Sequence, residues 1–221
     1  MLLECVEQET GPAPAWTVLW LHGLGADGHD FAPIVPELVR PQWPALRFVF
    51  PHAPVRPVTI NGGMPMPAWY DIVVMDFATR ADAAGIEESV AQVEALVARE
   101  VERGTPASRI VLAGFSQGGA IALATGLRRQ VPLAGLVALS TYLPGGLAVA
   151  AQRHPNAVAQ PVFFAHGDGD PVIAVQHGQA SAQALEQVGF DVAWHRYPMA
   201  HQVCAQEIGD LGHWLERRLA G

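Results

Sequence analysis

The chain has 221 residues, half of them apolar and only 15% charged, with a net charge of −8. That length buries a full core and suits one domain over 1–221, while an acidic balance with no Lys/Arg stripe argues against nucleic acid as a partner. No run approaches the ~20 apolar residues of a membrane span, and the first seven residues lack the basic start of a signal peptide, so a cytoplasmic chain without stable membrane insertion is expected.

In chain order, residues 2–8 read as a weakly patterned strand and Thr17–Leu21 as a fully apolar one. The second exits into His22-Gly-Leu-Gly-Ala-Asp-Gly28. A Walker Lys-Ser/Thr and the Rossmann glycine spacing are both missing, so this loop reads as a backbone N–H donor to an oxyanion. Phe31, Ile34, Val35 and Leu38 repeat at helical spacing, with Pro33 and Pro36 confining any helix to short turns. Leu46–Phe50 is a third strand. After it, Pro51 to Tyr70 reads as a long irregular connection with an Asn61-Gly-Gly63 turn. Met64, Met66, Trp69 and Tyr70 make it too apolar for disorder, so an ordered flap that shapes a greasy pocket is expected.

Gly85 to Gly104 is an amphipathic helix, with Ile86, Val90, Val93, Val97 and Val101 inward and Glu87, Glu88, Glu94, Arg99 and Glu102 solvated. Next, Ile110–Leu112 is apolar and β-branched enough for a buried strand. It leads into Gly114-Phe-Ser116-Gln-Gly118 and then into the helix former Ala120–Ala124. Strand, sharp turn and buried helix are what a G-x-S-x-G pattern needs to act as a nucleophile elbow. Leu133–Leu139 and Val162–Ala165 are further buried strands, the latter ending in His166-Gly-Asp168-Gly-Asp170-Pro-Val172. A helix over 173–188, a strand over 190–197, a loop holding His201 and a helix over 203–219 complete the chain. Strand and helix alternate throughout, so the fold class is α/β, with a mostly parallel, doubly wound sheet.

Four polar loops leave carboxyl ends of strands, where open parallel sheets bind ligands: those at Leu24, Ser116, Asp168/Asp170 and His201. A Ser hydroxyl needs a base, and the base a carboxylate to fix its tautomer. Of nine histidines, His195 falls in a strand, His177 and His213 in helices, and His22 and His166 beside the wrong loops. His201 is the base candidate. Of the two acids, Pro171 pushes Asp170 to an extended backbone and so toward the sheet edge, while Asp168 suits Asx-type bonding within the turn. Cys5 and Cys204 form no metal-binding pattern and read as reduced, buried small hydrophobes.

The stretches His22–Gly28, Arg56–Met64, Trp69–Asp71, Gly114–Gly118 and Asp168–Val172 together resemble the carboxylesterase and acyl-protein thioesterase (lysophospholipase-like) family of α/β-hydrolases, most of all its small bacterial carboxylesterases. The likeness spans nearly the whole chain in order. It implies Ser116 as nucleophile, Asp170 as acid and His201 as base, with the N–H groups of Leu24 and Gln117 as oxyanion hole. It also implies an acyl site lined by Met64, Met66, Trp69 and Val172, and a small-molecule ester or thioester of short to medium acyl chain as substrate. No metal or organic cofactor is implied, and homodimers are common in the family. A peptidase or perhydrolase on the same fold is an alternative. So is a non-catalytic binding protein, which the three filled triad positions disfavour.

Overall fold

The computed structural model describes residues 2–73 and 82–220. Strand β1 (Cys5–Glu9) runs directly to β2 (Trp16–Leu21), and a short helix, α1 (Val35–Leu38), lies between β2 and β3 (Leu46–Pro51). A hairpin of β4 (Val55–Val58) and β5 (Met64–Pro67) follows, then the long helix α2 (Ala83–Glu102). The second half alternates β6 (Ile110–Phe115), α3 (Gln117–Arg128), β7 (Gly135–Leu139), α4 (Gly146–Ala150), β8 (Val162–Gly167), α5 (Val175–Gln187), β9 (Val192–Tyr197) and α6 (Ala205–Leu219).

The main sheet runs β1-β3-β2-β6-β7-β8-β9. Only β1 is antiparallel, pairing Cys5 with Pro51 through Glu9 with Arg47; every other pair is parallel. The alternation of α and β thus gives the doubly wound sheet expected. From β2 the order steps outward to β3 in one direction, and from β6 outward to β7 in the other. The β2/β6 boundary is therefore the switch point, where loops diverge and leave a crevice.

Both faces of the sheet are buried, which is why the strands read as continuous apolar runs. Leu19, Leu21, Leu112 and Phe164 pack under α2, α3 and α5. Their neighbours Val18, Trp20, Ala113 and Phe163 face α1 and α6. Leu211, Trp214 and Leu215 of α6 are each no more than 2% exposed, a burial that stabilises by about 2–3 kcal/mol per side chain.

Two sequence expectations fail in instructive ways. The inward stripe of α2 ends on Glu100, which is fully buried, and Val101 is 44% exposed. At about 100° per residue, position 100 stays within about 40° of Ile86, while 101 swings about 60° to the other side. Burying the acid is tolerable because Arg47, Arg99, Arg103 and Thr17 all bond its carboxylate. These partners hold its pKa below the ordinary carboxylate value against the opposing effect of burial. Cys5 and Cys204 are half-buried free thiols rather than fully buried ones.

Close backbone approach at the switch point depends on glycine. A Cβ on Gly118 would lie 2.4 Å from Leu21 O and 2.5 Å from His22 O, and one on Gly114 would lie 2.4 Å from the Gly118 carbonyl. Gly118→Ala is expected to cost ~3 kcal/mol, because backbone rather than a side-chain tip must move. In a chain of this size that is a melting temperature lower by roughly 6–12 °C, readable by calorimetry; an unchanged melt would show that the helix can retreat freely.

Candidate active site

Ser116 sits between β6 and α3 with φ +54 and ψ −121, a backbone that an L residue adopts only under strain. Its surroundings hold it there. Its N–H donates to Leu139 O at 2.9 Å, and its carbonyl accepts from Thr141 Oγ1 at 2.6 Å and from Ala120 N at 3.2 Å. The hydroxyl therefore stands at the start of α3, over the switch point.

His201 and Asp170 arrive from loops that follow β9 and β8. These loops lie backbone to backbone: Asp168 N donates to Tyr197 O and Gly169 N to Met199 O, and a Cβ on Gly167 would strike the carbonyls of Met199 and Ala200 at 2.4 Å. Ser116 Oγ is 2.9 Å from His201 Nε2, and His201 Nδ1 is 2.7 Å from Asp170 Oδ2. A carboxylate only accepts, so Nδ1 carries the imidazole proton and Nε2 is free to accept from the hydroxyl. Ser116 and Asp170 are buried, while the His201 side chain keeps 16% exposure. Phe115 packs on the His201 ring at 4.8 Å between centroids.

The two acids exchange the local roles that their spacing suggested. Asp170 itself makes the Asx-type bonds, its Oδ1 accepting from Val172 N and Ile173 N at 2.8 and 2.9 Å, which leaves Oδ2 for His201. Asp168 instead pairs with Arg196 at 2.6 Å, half in solvent. The extended backbone that Pro171 imposes does not lift Asp170 away from the turn; it closes the turn on one oxygen and aims the other.

Leu24 lies in the loop after β2 and Gln117 at the first position of α3. Among the described residues, no backbone carbonyl accepts from either N–H. Both belong to well-braced segments. Gly25 N donates to Pro67 O of the hairpin, and the Gln117 side chain clamps the chain beyond it, accepting from Trp69 N at 2.8 Å and donating to Tyr70 O at 2.7 Å.

The long connection after β3 is ordered, as expected, but it is a β4–β5 hairpin and its greasy residues do not line one pocket. Trp69 and Tyr70 belong to the core, at 0% and 1% exposure, and Trp69 Nε1 donates to His22 O. Trp69 is therefore a brace and not a substrate contact. Met64 is 61% exposed, with Val172 at 44%. Met66 is half-buried, and its sulfur comes within 3.8 Å of where a Cβ on Gly25 would be.

Two histidines set aside in the sequence turn out to shape these loops. His22 is buried; Ala53 N donates to its Nε2, so Nδ1 carries the proton and donates to Gly23 O at 2.7 Å. Burial pushes its pKa down. His166 is fully buried, with Nε2 2.8 Å from Ile173 O and 3.4 Å from Asp170 Oδ2. It too is held below its ordinary pKa by burial, and it closes the turn that presents the carboxylate. Neither carries a motif of its own, and only the strand-end position of each was a signal.

Below the His201 loop, α6 begins with a capping box in which Cys204 N donates to Glu207 Oε2 at 3.4 Å. Glu207 is 1% exposed, its Oε1 has no hydrogen-bond partner among the described residues, and burial raises its pKa to about 8. In the unfolded chain the carboxyl ionises near 4.5, so between about pH 4.5 and 8 the unfolded state binds fewer protons than the folded one. Stability attributable to this group is full below 4.5 and declines through that window, by on the order of 4 kcal/mol. Denaturant titrations at pH 5 and 8 should therefore show Glu207→Gln gaining on the wild type as pH rises. A gap that does not change with pH would mean that the acid is ionised in the fold.

The comparisons with known proteins agree with this architecture. The family model described as phospholipase/carboxylesterase matches residues 3–219. Acyl-protein thioesterase 1 of Mycosarcoma maydis is 41% identical over 228 residues, covering 96% of this chain and 95% of the relative. Among solved structures, Arabidopsis thaliana SOBER1 is 30% identical with a TM-score of 0.86, covering 92% of this chain and 99% of its own. Zea mays acyl-protein thioesterase 2 is 29% identical with a TM-score of 0.81, covering 97% and 99%. The chain is thus a member of the phospholipase/carboxylesterase family of α/β-hydrolases.

Proposed function

We propose that the chain hydrolyses acyl esters and thioesters through an acyl-enzyme on Ser116. The observation that carries this is the unbroken relay from Ser116 Oγ through His201 to Asp170 Oδ2, at 2.9 and 2.7 Å. His201 Nε2 takes the hydroxyl proton as Oγ attacks the acyl carbon. The oxyanion that forms is held by the N–H groups of Leu24 and Gln117, the latter at a helix N-terminus where developing negative charge is favoured. His201 then protonates the departing alcohol or thiol. In the second half it draws a proton from water as the water oxygen attacks the acyl carbon, then returns a proton to Ser116 Oγ as the Oγ–acyl bond breaks and the acid leaves. Asp170 keeps the proton on Nδ1 throughout and steadies the imidazolium.

A thioester passes through the same steps with a better leaving group. The relatives' names favour thioesters over generic carboxylic esters, and the family likeness suggests a short to medium acyl chain. A panel of p-nitrophenyl esters and S-acyl peptides of two to sixteen carbons (roughly the span of common acyl groups) tests this by kcat/KM, which reports differential transition-state binding. Thioesters of short to medium acyl chain should be preferred over the longest ones. Failure of the whole panel, with peptides hydrolysed instead, would overturn the reading.

A further inference from the structure

Beside Leu24 stand three side chains that the proposed reaction does not use. Asp27 and His29 lie on the same loop, and His52 follows β3; one ligand atom from each lies within 4.8 Å of the other two. Two chain segments meet here because Gly28 packs without room for a side chain, a Cβ there falling 2.4 Å from Phe50 O and 3.2 Å from the His52 ring. Gly28 N donates to His52 Nδ1 at 3.1 Å. Asp27 Oδ1 accepts from His29 N at 2.7 Å and faces His29 Nδ1 at 3.1 Å, and the two imidazoles are 5.5 Å apart. The Asp27 and His29 side chains are 53% and 71% exposed, open to an ion and free to adjust.

We infer that Asp27, His29 and His52 form an inhibitory site for a borderline divalent transition-metal ion, zinc foremost. Two neutral imidazoles and one carboxylate are the donor set such ions take, leaving a water in the fourth position of a zinc tetrahedron. Magnesium and calcium would require more oxygens than are gathered here. Ligand atoms must close to about 2.0–2.2 Å from the ion, a short rotation for the exposed His29.

Binding has a structural consequence at His52. If Nδ1 takes the metal, its lone pair is no longer available to Gly28 N–H. If Nε2 takes it, the ring proton moves to Nδ1 with the same result. Either way Gly28 loses the acceptor that ties it to the end of β3, four residues along the loop from Leu24. The ion therefore exchanges that hydrogen bond for a metal bridge from the loop to His52, which shifts one wall of the oxyanion hole and slows turnover. The binding stands on these residues alone; only its effect on turnover rests on the role proposed for Leu24.

The test is calorimetric titration of the metal-free full chain with zinc chloride, together with cobalt(II) absorption spectra and hydrolysis of a p-nitrophenyl ester. One zinc per chain is expected at micromolar affinity, with kcat falling as the site fills. His29→Ala should bind at least tenfold more weakly, turn over normally without zinc, and keep working at zinc concentrations that slow the wild type. Absence of binding, or equal affinity in His29→Ala, would overturn the site, since the ion would then lie elsewhere, His201 included. Stoichiometric zinc with unchanged turnover would overturn the link to Leu24. A chain inactive on every ester would still give the binding isotherm, so failure of the hydrolase reading is told apart from failure of the metal site.

Discussion

Ser116→Ala is expected to lower kcat by about 10⁴–10⁶ and leave the fold intact, since residual catalysis would come only from the oxyanion hole and binding. Alanine keeps the Cβ, so the strained φ of +54 is neither relieved nor worsened. What goes is one hydroxyl and its bond to His201 Nε2, a net loss of about 1 kcal/mol. Glycine tolerates positive φ, so Ser116→Gly should be equally inactive but melt above Ser116→Ala, by whatever strain the elbow stores, about 1–3 kcal/mol. Mass spectrometry after a fluorophosphonate should find a single adduct on Ser116 in the wild type and none in either variant. Turnover retained by Ser116→Ala would remove the nucleophile from the scheme.

Much of this arrangement could be read from the chain because parallel strands make their exits conspicuous. Each run of apolar residues, such as Leu19–Leu21 or Phe163–Ala165, ends abruptly in glycine and polar residues at the rim where the crevice opens. Candidate residues are thus flagged by position before any geometry is available. What escaped the sequence depends on facts that no one-dimensional pattern holds. Glu100 is buried because helical phase brings it inward while arginines from β3 and from α2 itself meet it there; an acid in a stripe of valines reads as a boundary. Trp69 looks like pocket lining because its indole is large and apolar, yet its N–H finds His22 O and its backbone finds Gln117, which places it behind the loops rather than in the crevice. His22 and His166 illustrate the converse. A histidine whose ring nitrogens serve backbone groups, both of them in His22 and Nε2 alone in His166, is spaced in sequence like any other, and only burial and partners show that it fixes a loop. The hairpin over 55–67 was hidden by its prolines, which are tolerated because among the described residues its two strands form a ladder only with each other, so that a missing N–H can fall on the outer side.

The choice between the two acids yields the second large effect. Asp170→Asn should lower kcat by about 10⁴, with Asp168→Asn within about twofold of wild type. The reasoning runs through the donors that face the side chain. Oδ1 of Asp170 meets two N–H groups, from Val172 and Ile173, and only an oxygen can satisfy them. An asparagine must therefore place its carbonyl there and turn its NH₂ toward His201. Facing a donor, Nδ1 has to become the acceptor, and the ring proton shifts to Nε2, where it confronts the Ser116 hydroxyl in place of the lone pair that should receive its proton. The alternative flip sets an NH₂ against two N–H groups in a buried turn, which costs more than it restores. Asp168 loses only a half-exposed pair with Arg196, worth about 0–1 kcal/mol and remote from proton transfer. Single-turnover kinetics on an activated ester would separate acylation from release. If Asp168→Asn were the slow variant and Asp170→Asn the ordinary one, the bond from His201 to Asp170 would be structural, and the carboxylate that orients the base would have to be sought elsewhere.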